Sequence, residues 1–209
     1  MTRKPALIFA FAAVAAAAPT VTSAPAAAAP CPDVAVVFAR GTNEPPGLGS
    51  VGGPFVDDLR ARVAPRTVDA TPVDYPASND FNTSTPAGTH AARSLIESIA
   101  ANCPNTKMVL GGYSQGAAVI ELATNEASPQ IADHVAASAL FGAPRTSFSG
   151  MLAGRPLPTI APQYAANSID QCNQSDPICW EGGWDMGAHV SYVQSGKVAQ
   201  AADFAATRL

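Results

Sequence analysis

Short, unbroken apolar runs alternate with helical stripes along this chain, and that alternation restricts the fold more than any other feature. Val34 to Ala39 (VAVVFA) reads as a fully buried strand that stops at Arg40-Gly41-Thr42-Asn43. Gly53 to Val63 then puts Phe55, Leu59 and Val63 on one helical stripe, with Pro54 in the tolerated first turn. Thr67 to Tyr75 reads as a strand, Thr89 to Ala101 as a helix, and Met108 to Gly112 as a strand. Gln115 to Asn125 is a helix, Val135 to Phe141 a fourth strand, and Ser191 to Ala206 a last helix. Strands that alternate with helices predict an α/β fold, a three-layer α/β/α sandwich around a mostly parallel sheet. The Pro/Ser-rich stretches Pro76 to Pro86 and Gly142 to Pro162 read as loops, and a short strand is expected near Tyr164 to Asn167.

Residues 1–29 stand apart from this pattern and read as a signal peptide. Arg3 and Lys4 give a positive start, Ala6 to Ala18 is apolar, and Ala26-Ala27-Ala28 offers small residues for cleavage. An apolar run of about 13 residues falls short of the roughly 20 needed to cross a bilayer, so no stable membrane anchor is expected. The protein is therefore expected to be secreted and extracellular. Residues 30–209 suffice for a single domain and one core, without a large lid domain. Removing Arg3 and Lys4 from the 12 basic residues leaves 10 against 16 acidic ones, a net charge of −6. An acidic chain without basic clusters argues against nucleic acid or an anionic membrane surface as partner.

In an oxidising compartment, Cys31, Cys103, Cys172 and Cys179 are expected to form disulfides. Three pairings are open, and the close spacing of Cys172 and Cys179 favours a local ring that leaves Cys31 for Cys103. No paired C-x-x-C spacing supports a metal site.

Gly112-Tyr113-Ser114-Gln115-Gly116 fits G-x-S-x-G, and its placement says more than its letters. It follows an apolar strand and opens a helix, the context of a nucleophile elbow. Such a turn strains the serine backbone, exposes its hydroxyl, and aims a helix amino end at any developing oxyanion. Ser114 is therefore the candidate nucleophile. A serine needs a base, and a base needs an orienting carboxylate. Of the three histidines, His90 falls in the first turn of a helix and His134 ahead of a strand. His189 lies in a Gly-rich loop before the last helix and fits the chain order of serine, acid, histidine. Asp133, Asp170, Asp176 and Asp185 are available between them; Asp176 is favoured because the Cys172–Cys179 ring would fix its loop.

These residues together resemble the cutinases, and more closely the secreted cutinase-like esterases of bacteria. The resemblance rests on Val37-Phe38-Ala39-Arg40-Gly41-Thr42, on Leu110 to Gly116, on Phe141-Gly142-Ala143-Pro144, on the aspartate between close cysteines, and on His189-Val190-Ser191-Tyr192. It implies a minimal α/β-hydrolase fold with a five-stranded sheet, a triad of Ser114, Asp176 and His189, and a similar cysteine pairing. It also implies an oxyanion hole from the backbone N–H groups of Thr42 and Gln115, and no metal or cofactor. Thr42 stands where the family frequently has serine, and Ser175 where it has glycine. The expected reaction is hydrolysis of a carboxylic ester or lipid, by a monomer, through an acyl group on Ser114. Acetylxylan esterases, lipases and phospholipases share the triad, so the rim formed by Leu157, Ile178, Trp184, Met186 and Val190 decides among them: an apolar rim suits an acyl chain, a polar rim an acetylated sugar. A secreted binding protein on the same fold is the alternative outside enzymes.

Overall fold

The computed structural model describes residues 1–2 and 30–209; the expected signal peptide lies almost wholly outside the described residues. Five strands, β1 (Val34–Ala39), β2 (Val68–Pro72), β3 (Lys107–Tyr113), β4 (Val135–Phe141) and β5 (Ser168–Gln171), form one sheet in the order β2-β1-β3-β4-β5. Every pairing is parallel. Parallel strands need covered faces, and the continuous apolar runs in β1 and β3 meet that need. On one face, Val37, Leu110 and Leu140 pack with Ile96 of α2 (Phe81–Asn102) and with Val119 and Ile120 of α3 (Gln115–Glu126). On the other, Val36, Phe38, Val109 and Phe141 pack with Phe55 and Leu59 of α1 (Gly49–Val63) and with Ala201 and Ala205 of α6 (Lys197–Ala206). Between α3 and α6 lie α4 (Ser147–Ala153) and α5 (Met186–His189). The result is the three-layer sandwich that the alternation predicts.

The sheet order reverses between β1 and β3, so the loops after them diverge and leave a crevice at their carboxyl ends. Packing at this centre is close. A side chain on Gly111 would meet the Phe38 ring at 2.4 Å, and Phe38, Phe55 and Phe141 form an aromatic cluster with centroids 5.8–6.4 Å apart.

Four boundaries differ from expectation. α2 begins at Phe81 and takes in part of the stretch read as a loop. The Asp80 carbonyl accepts from Thr83 and Ser84, and the first turns bury Ser84, Thr85 and Gly88, which outweighs the hydrogen bond that exposed Pro86 removes. The stretch 142–162 contains α4, capped by a reciprocal Thr146/Ser149 pair and closed by left-handed Gly154. Tyr164 lies in a 3₁₀ turn begun by Pro162, and the strand expected there starts one residue beyond the expected range, at Ser168. The last helix starts at Lys197 because Gly196 takes a left-handed conformation, with Tyr192 to Gly196 in turns. No helix among the described residues is long and apolar enough to cross a membrane.

Candidate active site

Ser114 lies between β3 and α3 with φ 55° and ψ −119°, a region that a serine occupies only under strain. The flanking glycines make the bend possible. A Cβ on Gly116 would lie 2.0 Å from the Ala39 carbonyl oxygen, and one on Gly112 would lie 2.3 Å from that of Gly116. The Ser114 N–H donates to the Phe141 carbonyl at 2.8 Å, tying the bend to β4.

From this bend a relay of hydrogen bonds runs inward. Ser114 Oγ is 3.0 Å from His189 Nε2, and His189 Nδ1 is 2.8 Å from Asp176 Oδ2. His189 is nearly buried and Asp176 wholly so. A burial of this kind works against a charged carboxylate. Here the His189 and Tyr192 hydrogen bonds, with the Ile178 N–H, outweigh it and hold the Asp176 carboxyl below its ordinary range. An ionised Asp176 only accepts, so Nδ1 carries the proton and Nε2 is left to accept from the Ser114 hydroxyl.

The other candidates sit elsewhere. His90 is exposed on α2, and Asp133 and His134 lie at the amino end of β4, the opposite edge of the sheet from Ser114. Asp170 pairs with Arg145 at 2.9 Å, and Arg145 also pairs with buried Glu121. Burial pushes Glu121 up to about 7 against the pull of Arg145. Half-buried Asp185 caps α5 by accepting from the Gly187 N–H.

Both expected disulfides are present, Cys31–Cys103 and Cys172–Cys179. The second encloses the loop of Asp176. Ser175 there has φ 70°, so the position favours the glycine of the family resemblance, and its carbonyl accepts from Trp184 and Asp185.

Thr42, in the loop after β1, and Gln115, at the start of α3, both line the crevice. Neither backbone N–H has a protein partner among the described residues. Gln115 is the first residue of α3, where no intrahelical acceptor exists. Its buried side chain donates to the Ser78 carbonyl and the Thr85 hydroxyl, each at 3.2 Å, which anchors the elbow to α2.

Motif and spacing assign no role to two groups that the structure places behind this site. Tyr192 is fully buried and donates to Asp176 Oδ2 at 2.5 Å. Glu44 accepts from the Gly41 N–H at 2.6 Å and the Ser50 N–H at 2.7 Å, fixing the loop that presents Thr42. The Glu44 partners all lie close in sequence, and the acid within a Gly-rich loop is the signal that points to it. Nothing local marks Tyr192 for Asp176.

A cavity of about 320 Å³ opens over Ser114. Leu157, Ile178, Met186 and Val190 line it, joined by Leu122 and Leu152. Met186 and Val190 are 52% and 66% exposed, whereas Trp184, expected at the rim, is 81% exposed and is not among the residues lining this cavity. This side of the rim is therefore apolar, while Asn43, Asn79 and Arg155 also line the cavity.

A family model described as Cutinase matches residues 30–209.

The chain belongs to the cutinase family.

Carboxylesterase Culp1 of Mycobacterium tuberculosis is 54% identical to it over 181 residues, covering 86% of this chain and 83% of that one. Among solved structures, Trichoderma reesei cutinase in complex with a C11Y4 phosphonate inhibitor is 33% identical, with a TM-score of 0.68 over 85% of this chain and 77% of that one. The catalytic core domain of acetyl xylan esterase from Trichoderma reesei is 25% identical, with a TM-score of 0.72 over 86% of this chain and 100% of that one. The cutinase-family fold agrees with the five-stranded parallel sheet, and the family resemblance read in the sequence holds.

Proposed function

We propose that this cutinase-family chain is a secreted serine carboxylic ester hydrolase acting on esters with an acyl chain, with Ser114 as nucleophile, His189 as base and Asp176 as its orienting acid. The observation that carries the reading is the continuous relay Ser114–His189–Asp176 at the foot of an apolar cavity, beside two unpartnered N–H groups. Ser114 Oγ attacks the ester carbonyl while His189 Nε2 takes its proton. The carbonyl oxygen becomes an oxyanion that accepts from the Thr42 and Gln115 N–H groups, where α3 also presents its positive end. Collapse breaks the bond to the alcohol oxygen, to which His189 returns the proton. Water then repeats the sequence on the acyl-enzyme, releasing the acid and restoring Ser114.

The rim favours an acyl chain over an acetylated sugar, because the apolar Leu122, Leu152, Leu157, Ile178, Met186 and Val190 outnumber the polar Asn43, Asn79 and Arg155 that also line the cavity. Export through residues 1–29 and a catalytic domain over 30–209 fit the two disulfides and the span of the family match. All the groups named come from one chain, so a monomer suffices.

The test is hydrolysis of p-nitrophenyl esters of increasing acyl length by wild type and Ser114→Ala. Wild type should prefer butyrate or longer to acetate. The variant should fold normally and lose turnover by about 10⁵-fold or more. Retention of more than about a tenth of the activity would remove Ser114 from the mechanism.

A further inference from the structure

Among the described residues, Arg155 is the one arginine or lysine lining the cavity, and no aspartate or glutamate lines it. It follows Gly154, the left-handed cap of α4, and its Nη2 donates to the Phe81 carbonyl at 2.7 Å. Phe81 borders the same cavity, so this bond holds the guanidinium at the wall. Arg60, Arg62, Arg93 and Arg145 each reach a carboxylate at 3.7 Å or less, whereas among the described residues Arg155 reaches none; Arg40, Arg66 and Arg208 also reach none, but they do not line the cavity.

An acidic protein thus keeps a half-buried cation without a carboxylate partner beside its apolar substrate cavity. A tether to a neutral carbonyl uses one donor of five and needs no charge. The remaining planar fork matches a carboxylate or phosphate, and its attraction for an anion rises where apolar walls displace water. Leu152 and Leu157 flank Arg155 in sequence and line the cavity too, so an apolar chain and an anionic group can be met on one wall.

We propose that Arg155 forms an anion subsite of the ester cavity, so that the preferred substrates are amphiphilic esters carrying a carboxylate or phosphate distant from the scissile bond. This rests on the esterase reading above.

The test compares kcat/KM for charged esters and their neutral counterparts. One arm uses p-nitrophenyl half-esters of dicarboxylic acids of increasing length against the same esters with the distal acid methyl-capped, reading p-nitrophenol only. The other uses short-chain phosphatidic acid against the diacylglycerol of the same chains, reading fatty acid released. Wild type should favour the charged member by about tenfold in at least one arm, and the arm that responds identifies the anion. Added salt should erode that preference. Arg155→Gln should bring the ratio of charged to neutral close to one, and Arg155→Lys should keep part of it. Activity on neutral esters with no charge preference in either arm overturns the subsite and leaves the esterase reading standing. So does a preference that Arg155→Gln retains. Inactivity of folded wild type on every ester overturns both.

Discussion

Removing the Cys172–Cys179 bond should injure catalysis more than stability, and removing Cys31–Cys103 should do the reverse. The first bond closes a loop of sequence separation 7 and the second one of 72. In the chain-entropy account these constrain the unfolded chain by about 2.5 and about 4.4 kcal/mol. Place matters as much as magnitude. Cys31 precedes β1 and Cys103 caps the end of α2, so their bond staples the amino edge of the sheet, about 20 Å along β1 from the site. The small ring encloses Asp176, whose shift by about 1 Å would misalign His189 and cost on the order of a hundredfold in rate. Part of the loop survives reduction, since Ser175 still accepts from Trp184 and Asp185, and Asp176 from Trp180. Alanine is the right replacement. Cys179 Sγ lies 3.4 Å from the Tyr192 hydroxyl, and a serine there would compete for the donor that Asp176 uses. Thermal melts and kcat/KM on p-nitrophenyl butyrate, assayed well below melting, should be compared for Cys172→Ala/Cys179→Ala and Cys31→Ala/Cys103→Ala. If the small-ring variant melts lower yet keeps more activity than the other, the ring is a fold staple and the argument fails.

Tyr192→Phe removes one of the three donors that keep Asp176 ionised, which should lower stability at pH 7 by about 1.5–3 kcal/mol and reduce kcat. Because the native carboxyl is held below its ordinary range, that stabilisation is complete above the ordinary carboxylate range and fades as pH falls through the lowered native value, so the melting gap to wild type should narrow in acid. A gap that stays constant as the pH is lowered until wild type itself unfolds would contradict this account. Gly116→Ala puts a methyl 2.0 Å from the Ala39 carbonyl oxygen, backbone against backbone, and should cost about 3 kcal/mol or more together with most of the activity. Gly150→Ala, inside α4 with only Leu157 Cδ1 at 4.0 Å from the added methyl, should instead raise stability by up to about 1 kcal/mol; equal melting of the two variants would show that the close approach at Gly116 is not what demands glycine.

Features governed by neighbours in sequence are legible in the amino-acid order alone. The apolar runs of β1, β3 and β4 give parallel strands because both of their faces are covered, and β3 running into Ser114 and α3 is an elbow whose two glycines are required by contacts within a few residues and with β1. Chain order singles out His189 as the candidate base. By contrast β5 falls just outside the range that the pattern of residues suggests, for it is a short edge strand with little buried surface and so carries no apolar period. Pro86 conceals the first turns of α2, whose stability comes from packing rather than propensity. Among the aspartates, order alone leaves four; spatial neighbours divide them, because Arg145 holds Asp170, a helix cap holds Asp185, the far edge of the sheet carries Asp133, and Tyr192 and His189 converge on Asp176. The cavity belongs wholly to tertiary structure. Its walls come from the loop after β1, the starts of α2 and α3, the 144–158 segment and the acid and histidine loops, and no stretch of sequence contains enough of it to reveal that Arg155 stands there without a carboxylate.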